Sequence, residues 1–211
     1  MPKFLISGDV HSCWGDVFDY LNKDKYDIVL CVGDLSEYID QPLPTYFCIG
    51  NHEDHEVIES KVKTGQIKNL HCLTPDKPIY FDQIKVLGLR GNYAESRFLK
   101  SRKEHPCLFL QDRRRHYNFE DFKIASQQVN INIFLTHETI QEMELIRRGR
   151  NVGRPEISEL LKTLKPKFYF SGHIHEAKVT NVLDTVCVSL PYPSENAYYI
   201  DTDKGTHGWI K

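Results

Sequence analysis

Five short clusters that contain aspartate, histidine or asparagine occur in this sequence, and each follows an apolar run typical of a buried strand. The clusters are Gly8-Asp9-Val10-His11, Gly33-Asp34, Gly50-Asn51-His52-Glu53, Thr136-His137-Glu138 and Gly172-His173-Ile174-His175. The carboxyl ends of parallel strands converge on one crevice in an open α/β sheet. Residues that are far apart in this sequence are therefore expected to meet at a single site.

Strand and helix signals alternate along much of the chain, which favours an α/β fold with parallel strands. Short apolar runs predict strands over residues 3–7, 27–32, 45–49, 131–135 and 167–170. Helical spacing, capping residues and a first-turn proline predict helices over residues 14–21, 54–62, 118–128 and 155–164. The first two strands and the helix between them form a predicted βαβ unit.

The remaining segments have a different character. Residues 78–81 and 84–89 flank Asp82-Gln83 and predict a hairpin. Residues 91–117 are polar and predict a long surface loop with a helical turn, and residues 139–153 are mixed. A closing antiparallel set is predicted over residues 178–182, 185–190 and 197–200.

Composition limits the class of protein. With 211 residues, 40% hydrophobic and 27% charged, the chain predicts one globular domain over residues 1–211. The net charge of -2 argues against a surface that is basic throughout, as in a general nucleic-acid binder. Six scattered cysteines without a CxxC pair, and no membrane-spanning apolar run, predict a cytoplasmic protein, or a nuclear one in a eukaryote.

The residue types in the clusters indicate a metal centre. Two aspartates, one asparagine and four histidines offer mixed oxygen and nitrogen donors, which suit manganese, iron, zinc or nickel. The seven candidate ligands are Asp9, His11, Asp34, Asn51, His137, His173 and His175. Seven donors exceed the needs of one ion, and Asp34, alone in its cluster, suits a bridging position. His52 is left over and is a candidate proton donor.

Each cluster also has an ordinary structural interpretation. A single Gly-Asp after a strand is usually turn chemistry, a single His-x-His is often a surface feature, and Asn51 beside Gly50 suits a left-handed turn. Five such clusters at strand ends are hard to obtain from turn preferences alone. We therefore expect two divalent ions, about 3.5–4 Å apart, that clamp a phosphoryl group and activate water.

Taken together, the clusters resemble the motifs of the calcineurin-like metallophosphoesterase superfamily. The resemblance implies a four-layer αββα sandwich with two mixed β-sheets. It also implies that Asp9, His11, Asp34 and His175 hold one metal, and that Asp34, Asn51, His137 and His173 hold the other. In the same scheme His52 lies near the leaving-group oxygen as proton donor.

Two interior segments, residues 87–93 and 153–173, are similar to RNA lariat-debranching enzymes and their small archaeal relatives. Debranching enzymes often carry cysteine where this chain has Asp9, and they are longer. The similarity implies a phosphodiesterase that acts on a phosphodiester, including a nucleic-acid or nucleotide substrate. The alternatives are a phosphomonoesterase or nucleotide pyrophosphatase at the same site, and a scaffold without catalysis. The sequence leaves the oligomeric state open.

Two segments are rich in basic residues. They contain Arg97, Lys100, Arg102, Lys103, Arg113, Arg114 and Arg115 in one run, and Arg147, Arg148, Arg150 and Arg154 in the other. Solvated faces are the usual explanation of such runs. The alternative hypothesis is that both segments border the metal cleft and hold a polyanionic substrate.

Overall fold

The computed structural model describes residues 1–99 and 115–210. The strands are β1 (Lys3–Ser7), β2 (Ile28–Cys31), β3 (Thr45–Phe47), β4 (Leu70–Cys72), β5 (Ile79–Phe81), β6 (Ile84–Leu89), β7 (Ile133–Thr136), β8 (Ile146–Arg147), β9 (Arg150–Asn151), β10 (Phe168–Ser171), β11 (Lys178–Val182), β12 (Thr185–Ser189), β13 (Tyr198–Asp201) and β14 (Thr206–Trp209). The helices are α1 (Trp14–Lys23), α2 (His55–Lys63), α3 (Glu95–Phe98), α4 (Phe119–Ser126) and α5 (Pro155–Leu164), with a 3-10 turn at Gln141–Met143.

Twelve of these strands form two mixed six-stranded sheets. The first sheet has the order β14-β13-β1-β2-β3-β4, and the second has the order β11-β12-β10-β7-β6-β5. Each sheet contains four neighbouring parallel strands, which are β1 to β4 in the first sheet and β6, β7, β10 and β12 in the second. Antiparallel strands complete the edges.

The parallel strands carry buried apolar side chains on both of their faces. Phe4 and Ile6 of β1 join a core between the two sheets, whereas Leu5 points to the opposite face. Helices α1 and α2 cover that outer face of the first sheet, and α4 and α5 cover the second sheet. The molecule is thus a four-layer αββα sandwich, which confirms the predicted fold class.

Local sequence signals set the helix starts as predicted. Asn118 accepts a hydrogen bond from the Asp121 backbone and forms a reciprocal capping box at α4. Pro155 occupies the first turn of α5, where its missing N–H costs nothing. Asp54 caps α2 through two backbone N–H groups, so this helix begins at His55 rather than at Asp54.

Several predictions about the later part of the chain need correction. The set predicted over residues 178–182, 185–190 and 197–200 is divided, because β11 and β12 pair in the second sheet while β13 pairs with β1 in the first. Sequence reasoning missed the edge strands β4 and β14 and the hairpin of β8 and β9. These short strands are defined by their pairing partners rather than by apolar periodicity.

The predicted surface loop over residues 91–117 is only partly within the described residues. It contains the short helix α3, and its last residue, Tyr117, is fully buried rather than on the surface. Lys100, Arg102, Lys103, Arg113 and Arg114 lie outside the described residues. In the described part of the chain, every helix is too short or too polar to cross a bilayer.

Candidate metal centre

All five clusters lie together, and hydrogen bonds join the loops that carry them. The backbone N–H of His11 donates to the Asp34 carbonyl over 2.7 Å, and that of Gly172 donates to the His137 carbonyl over 3.0 Å. The two sheets are joined as well, since the backbone N–H of His173 donates to Asp9 Oδ2 over 2.7 Å. The predicted convergence of these loops is therefore present in the fold.

The candidate ligands form two groups of side chains, and within each group the ligand atoms lie within 4.8 Å of one another. Asp9, His11 and His175 form the first group, and Asp34, His137 and His173 form the second. In the first group, His175 Nε2 lies 2.7 Å from Asp9 Oδ2. Both groups combine a buried carboxylate with imidazole nitrogens.

Asp34 lies between the two groups. Its Oδ2 is 3.4 Å from His137 Nε2 in the second group and 3.8 Å from His11 Nε2 in the first. Its other oxygen accepts a hydrogen bond from the His52 backbone N–H over 2.9 Å. One carboxylate oxygen thus faces both groups while the second oxygen fixes the orientation of the side chain, as a bridging ligand requires.

His137 and Asn51 are oriented toward the same space. His137 is fully buried, and its Nδ1 lies 2.9 Å from the Val32 carbonyl, so this nitrogen carries the proton. Its Nε2 then faces Asn51 Oδ1 at 3.0 Å and His173 Nδ1 at 3.2 Å. A histidine whose second nitrogen donates to a carbonyl is the arrangement commonly found at metal sites.

The protonation states of these groups suit metal ligands. Burial, together with the nearby His137, lowers the pKa of His173 to about 4. Burial also lowers the pKa of His11, although Asp34 and Asp9 oppose this change. Burial favours the neutral form of Asp34, but the hydrogen bond and charge of His137 hold the pKa of its carboxyl well below the usual range. Neutral imidazoles and an ionised carboxylate are the forms that bind metal, as in His173, His11 and Asp34. His137 differs: burial lowers its pKa, but Asp9 and Asp34 outweigh burial and raise it to about 10, so this imidazole would release a proton on binding metal.

The chemistry of the donor atoms fits divalent cations. Nitrogen and oxygen lone pairs from Asp34, Asn51, His137 and His173 crowd one small space, where lone pairs repel one another without a cation or proton between them. Asp9 Oδ1 is buried and accepts no hydrogen bond from any described residue. Leaving a buried carboxylate oxygen unpaired is costly unless a positive charge satisfies it. The residues present therefore fit a metal pair.

Several of the candidate ligands have unusual backbone conformations. His11, Asp34, His173 and His175 all have positive φ, between 43° and 65°. Residues other than glycine rarely adopt this left-handed region, and such strain is typically found at functional sites. Four of the seven candidate ligands thus hold a conformation that local preference disfavours.

Glycine is required where the loops approach the candidate ligands most closely. A Cβ at Gly172 would lie 2.1 Å from Asp9 Oδ1, and a Cβ at Gly50 would lie 2.2 Å from Asp34 Oδ1. No methyl group fits at such distances, so the carboxylates would have to move. The glycines in the clusters therefore have a steric role in addition to turn formation.

We expect Gly172→Ala to displace Asp9 and to lower the free energy of unfolding by about 1–3 kcal/mol, as in other overpacked sites. The variant should also bind metal more weakly, which isothermal titration and urea unfolding can measure. Gly15→Ala is the matched control, because a methyl group at this position on α1 would have nothing within 4 Å. Equal stability and metal affinity in the two variants would contradict this steric role.

His52 lies at the rim of the site rather than inside it. Its side chain is 58% exposed, and its Nε2 is 4.0 Å from Asp34 Oδ2. Its ring makes an edge contact with His11, with 5.4 Å between ring centroids. His52 belongs to neither of the two groups of candidate ligands. This position leaves the imidazole accessible from solvent while it remains close to both groups.

Sequence reasoning missed two residues that support the site. Glu53 is fully buried, and its carboxylate accepts hydrogen bonds from the backbone N–H groups of Leu35 and Gly50, at 2.9 and 2.7 Å. It thereby ties two ligand loops together, and its place in a cluster was the available signal. Asn92 donates from Nδ2 to Asn51 Oδ1 over 3.2 Å and orients that amide.

Two further contacts at the site had no signal in the sequence. Tyr192 lies against His175, with 4.0 Å between ring centroids, and is 5.7 Å from His11. Glu138, next to His137, pairs with Arg154 Nε at 2.7 Å. Both contacts depend on segments that meet only in the folded chain.

Known proteins share sequence or fold with this chain. A "Lariat debranching enzyme" from Arabidopsis thaliana is 23% identical over 82% of this chain, and this chain spans 54% of its length. TT1561 of Thermus thermophilus shares the fold with a TM-score of 0.66 and 16% identity, covering 100% of this chain and 98% of that one. A structure described as a novel archaeal phosphodiesterase has a TM-score of 0.53 and 12% identity, covering 99% and 98%.

The family pattern described as Calcineurin-like phosphoesterase matches residues 2–177, which include all five clusters. The match therefore covers every candidate ligand and both groups of side chains described above. This chain belongs to the Calcineurin-like phosphoesterase family.

Proposed function

We propose that this chain is a dinuclear metal-dependent phosphodiesterase. The observation that carries the proposal is the gathering of seven candidate ligands, from both sheets, in two groups with Asp34 between them. Family membership supports phosphoester chemistry, and the names of the Arabidopsis thaliana relative and the archaeal neighbour favour a diester. The same proposal treats residues 1–211 as one domain, because both sheets contribute to the site.

The two groups suggest an assignment of the ligands. One ion would be held by Asp9, His11, Asp34 and His175, and the other by Asp34, Asn51, His137 and His173. When bound, such a pair polarises a phosphoryl group and lowers the pKa of water enough to supply a nucleophile at neutral pH. The ligand side chains would hold both ions, and the buried residues around them would exclude bulk water from the inner half of the site.

His52 has the position expected of a proton donor. It is exposed at the rim, and its backbone N–H is already engaged by Asp34, which holds the residue near the site. We propose that its imidazolium donates a proton to the leaving-group oxygen. Asn92 and Glu53 act indirectly, because they orient Asn51 and the loops that carry Asp34 and Gly50.

The test is a panel assay with the purified chain after reconstitution with manganese, iron, zinc or nickel. The panel contains bis-p-nitrophenyl phosphate, p-nitrophenyl phosphate, a 2′–5′ branched RNA and a dinucleoside polyphosphate. We expect a higher kcat/KM for a diester than for the monoester, with activity lost on chelation and restored by metal.

The other outcomes of this assay identify the alternatives. A preference for p-nitrophenyl phosphate would replace the proposal with a phosphomonoesterase, and a preference for the dinucleoside polyphosphate would indicate a pyrophosphatase. Stoichiometric metal without hydrolysis of any member of the panel would indicate a binding scaffold. Each result can be read against metal content measured on the same preparation.

A further inference from the structure

A small arginine-rich hairpin lies beside the metal centre. It consists of β8, β9 and the Arg148-Gly149 turn, and we call it the arginine hairpin. The backbone N–H of Arg154, just after it, donates to the Thr139 carbonyl over 2.8 Å, two residues beyond His137. Arg147 Nη2 donates to the Ile174 carbonyl over 2.8 Å, between His173 and His175. The hairpin is therefore attached to both ligand loops of the second sheet.

The charges of the hairpin are not balanced internally. Arg147 and Arg150 are directly opposite each other across the two strands, and like charges in this position repel. Among the described residues, no carboxylate pairs with Arg147, Arg148 or Arg150, whereas Arg154 is paired with Glu138 at 2.7 Å. The guanidinium groups of Arg148 and Arg150, and the part of Arg147 that is not bound to the Ile174 carbonyl, thus have no carboxylate partner among the described residues.

The turn of the hairpin is built with a residue that local preference disfavours. Arg148 has a φ of 50° and Gly149 a φ of 73°, as in a tight two-residue turn. Asparagine, aspartate or glycine normally occupies the first of these positions, because other side chains are strained there. The turn places Arg148 at the tip of the hairpin, between Arg147 and Arg150.

The hairpin also borders a groove that is large enough for a phosphate group. An open groove of about 540 Å³ is lined by Arg147, Arg148, Arg150, Asn151, Val152 and Arg154. The planar guanidinium group donates two parallel hydrogen bonds to phosphate oxygens and is the usual protein ligand for bidentate phosphate recognition. The groove therefore offers exposed guanidinium donors next to the proposed site of phosphoester hydrolysis.

We infer that the arginine hairpin binds a second phosphate of the substrate, beside the phosphate that is hydrolysed. This inference rests on the proposed function. The second phosphate comes either from the neighbouring linkage of a single-stranded oligonucleotide or from the polyphosphate chain of a nucleotide. A substrate with a single phosphate does not engage the hairpin.

The test compares two double variants that remove the same charge. Arg148→Gln with Arg150→Gln alters the hairpin, while Lys25→Gln with Lys204→Gln alters exposed lysines at the end of the first sheet that lies away from the ligand loops. The full chain, as purified, is titrated with a fluorescein-labelled, phosphorothioate-linked short single strand and with a fluorescent adenosine triphosphate. Fluorescence anisotropy then gives Kd between about 50 and about 200 mM salt.

We expect the arginine variant to bind at least one probe about tenfold more weakly than the wild type. For the single strand, the slope of log Kd against log salt should fall by about 0.7, since the loss of one phosphate contact removes about that much. The lysine variant should keep the wild-type slope. The probe that is affected identifies the source of the second phosphate.

The result that overturns the inference is equal affinity and equal salt slope for the arginine and lysine variants with both probes. A second measurement separates this failure from failure of the proposed function. In the arginine variant, the kcat/KM for bis-p-nitrophenyl phosphate, which has one phosphate, should stay within about twofold of the wild-type value. If the wild type hydrolyses no ester, but the arginine variant still binds the probes more weakly than the lysine variant does, the proposed function is refuted and the hairpin site is retained.

Discussion

Asp34→Asn is expected to lose metal from both groups of ligands and to lower kcat on a diester by on the order of 10³-fold or more, because two-metal clamping supplies several kcal/mol of transition-state stabilisation. The reason is the use of both carboxylate oxygens. One accepts from the His52 backbone, and the other faces His11 and His137. An amide has only one oxygen, so its NH2 group must face either the His52 N–H or the metal ligands.

This expectation can be checked by metal analysis together with steady-state kinetics. The wild type should carry two ions per chain after reconstitution, and the variant should retain less than one. Asp19→Asn, at an exposed position on α1, removes the same charge and serves as the control with full metal content. Two ions retained in Asp34→Asn would exclude a bridging role for this carboxylate.

His52→Ala is expected to retain both metal ions while kcat falls by about 10²–10⁴-fold, the range usual for a general acid. The side chain is exposed and lies outside both groups of candidate ligands, so its removal leaves the metal donors in place. The backbone N–H that donates to Asp34 is also preserved in alanine. Only the proton donor is lost.

The leaving group provides a second readout of this role. A nitrophenolate leaves without much help from an acid, whereas a sugar hydroxyl needs a proton as the P–O bond breaks. The loss of rate in His52→Ala should therefore be much smaller for bis-p-nitrophenyl phosphate than for a nucleoside-linked diester. Equal losses for the two substrates, or loss of metal, would assign His52 a structural or ligand role.

Much of the fold was accessible from local signals. Apolar runs marked β1, β2, β7 and β10, and Asn118 and Pro155 marked helix starts. The edge strands were not accessible in this way. Strand β14, with the sequence THGW, has no apolar alternation, and its conformation depends on pairing with β13. Likewise, nothing local shows that β13 joins the first sheet.

In the candidate site, too, some features are visible in the local sequence and others depend on contacts between distant segments. The donor atoms of Asp9, His11 and the other proposed ligands are recognisable because their residue types and strand-end positions are local properties. The contacts of Tyr192 with His175 and of Asn92 with Asn51 are not, since each joins segments that are distant in the sequence. The arginine hairpin is intermediate. Its charge was visible, but its attachment to Ile174 was not.

The joining of the two sheets at the candidate site has a consequence for the durability of the protein. Under the proposed assignment, each ion would take ligands from both sheets and would therefore cross-link them. A ligand at a concentration 100 times its Kd adds about 2.7 kcal/mol to the stability of the state that binds it. Scarcity of metal would then make the protein more susceptible to proteolysis, in addition to abolishing its proposed hydrolytic activity.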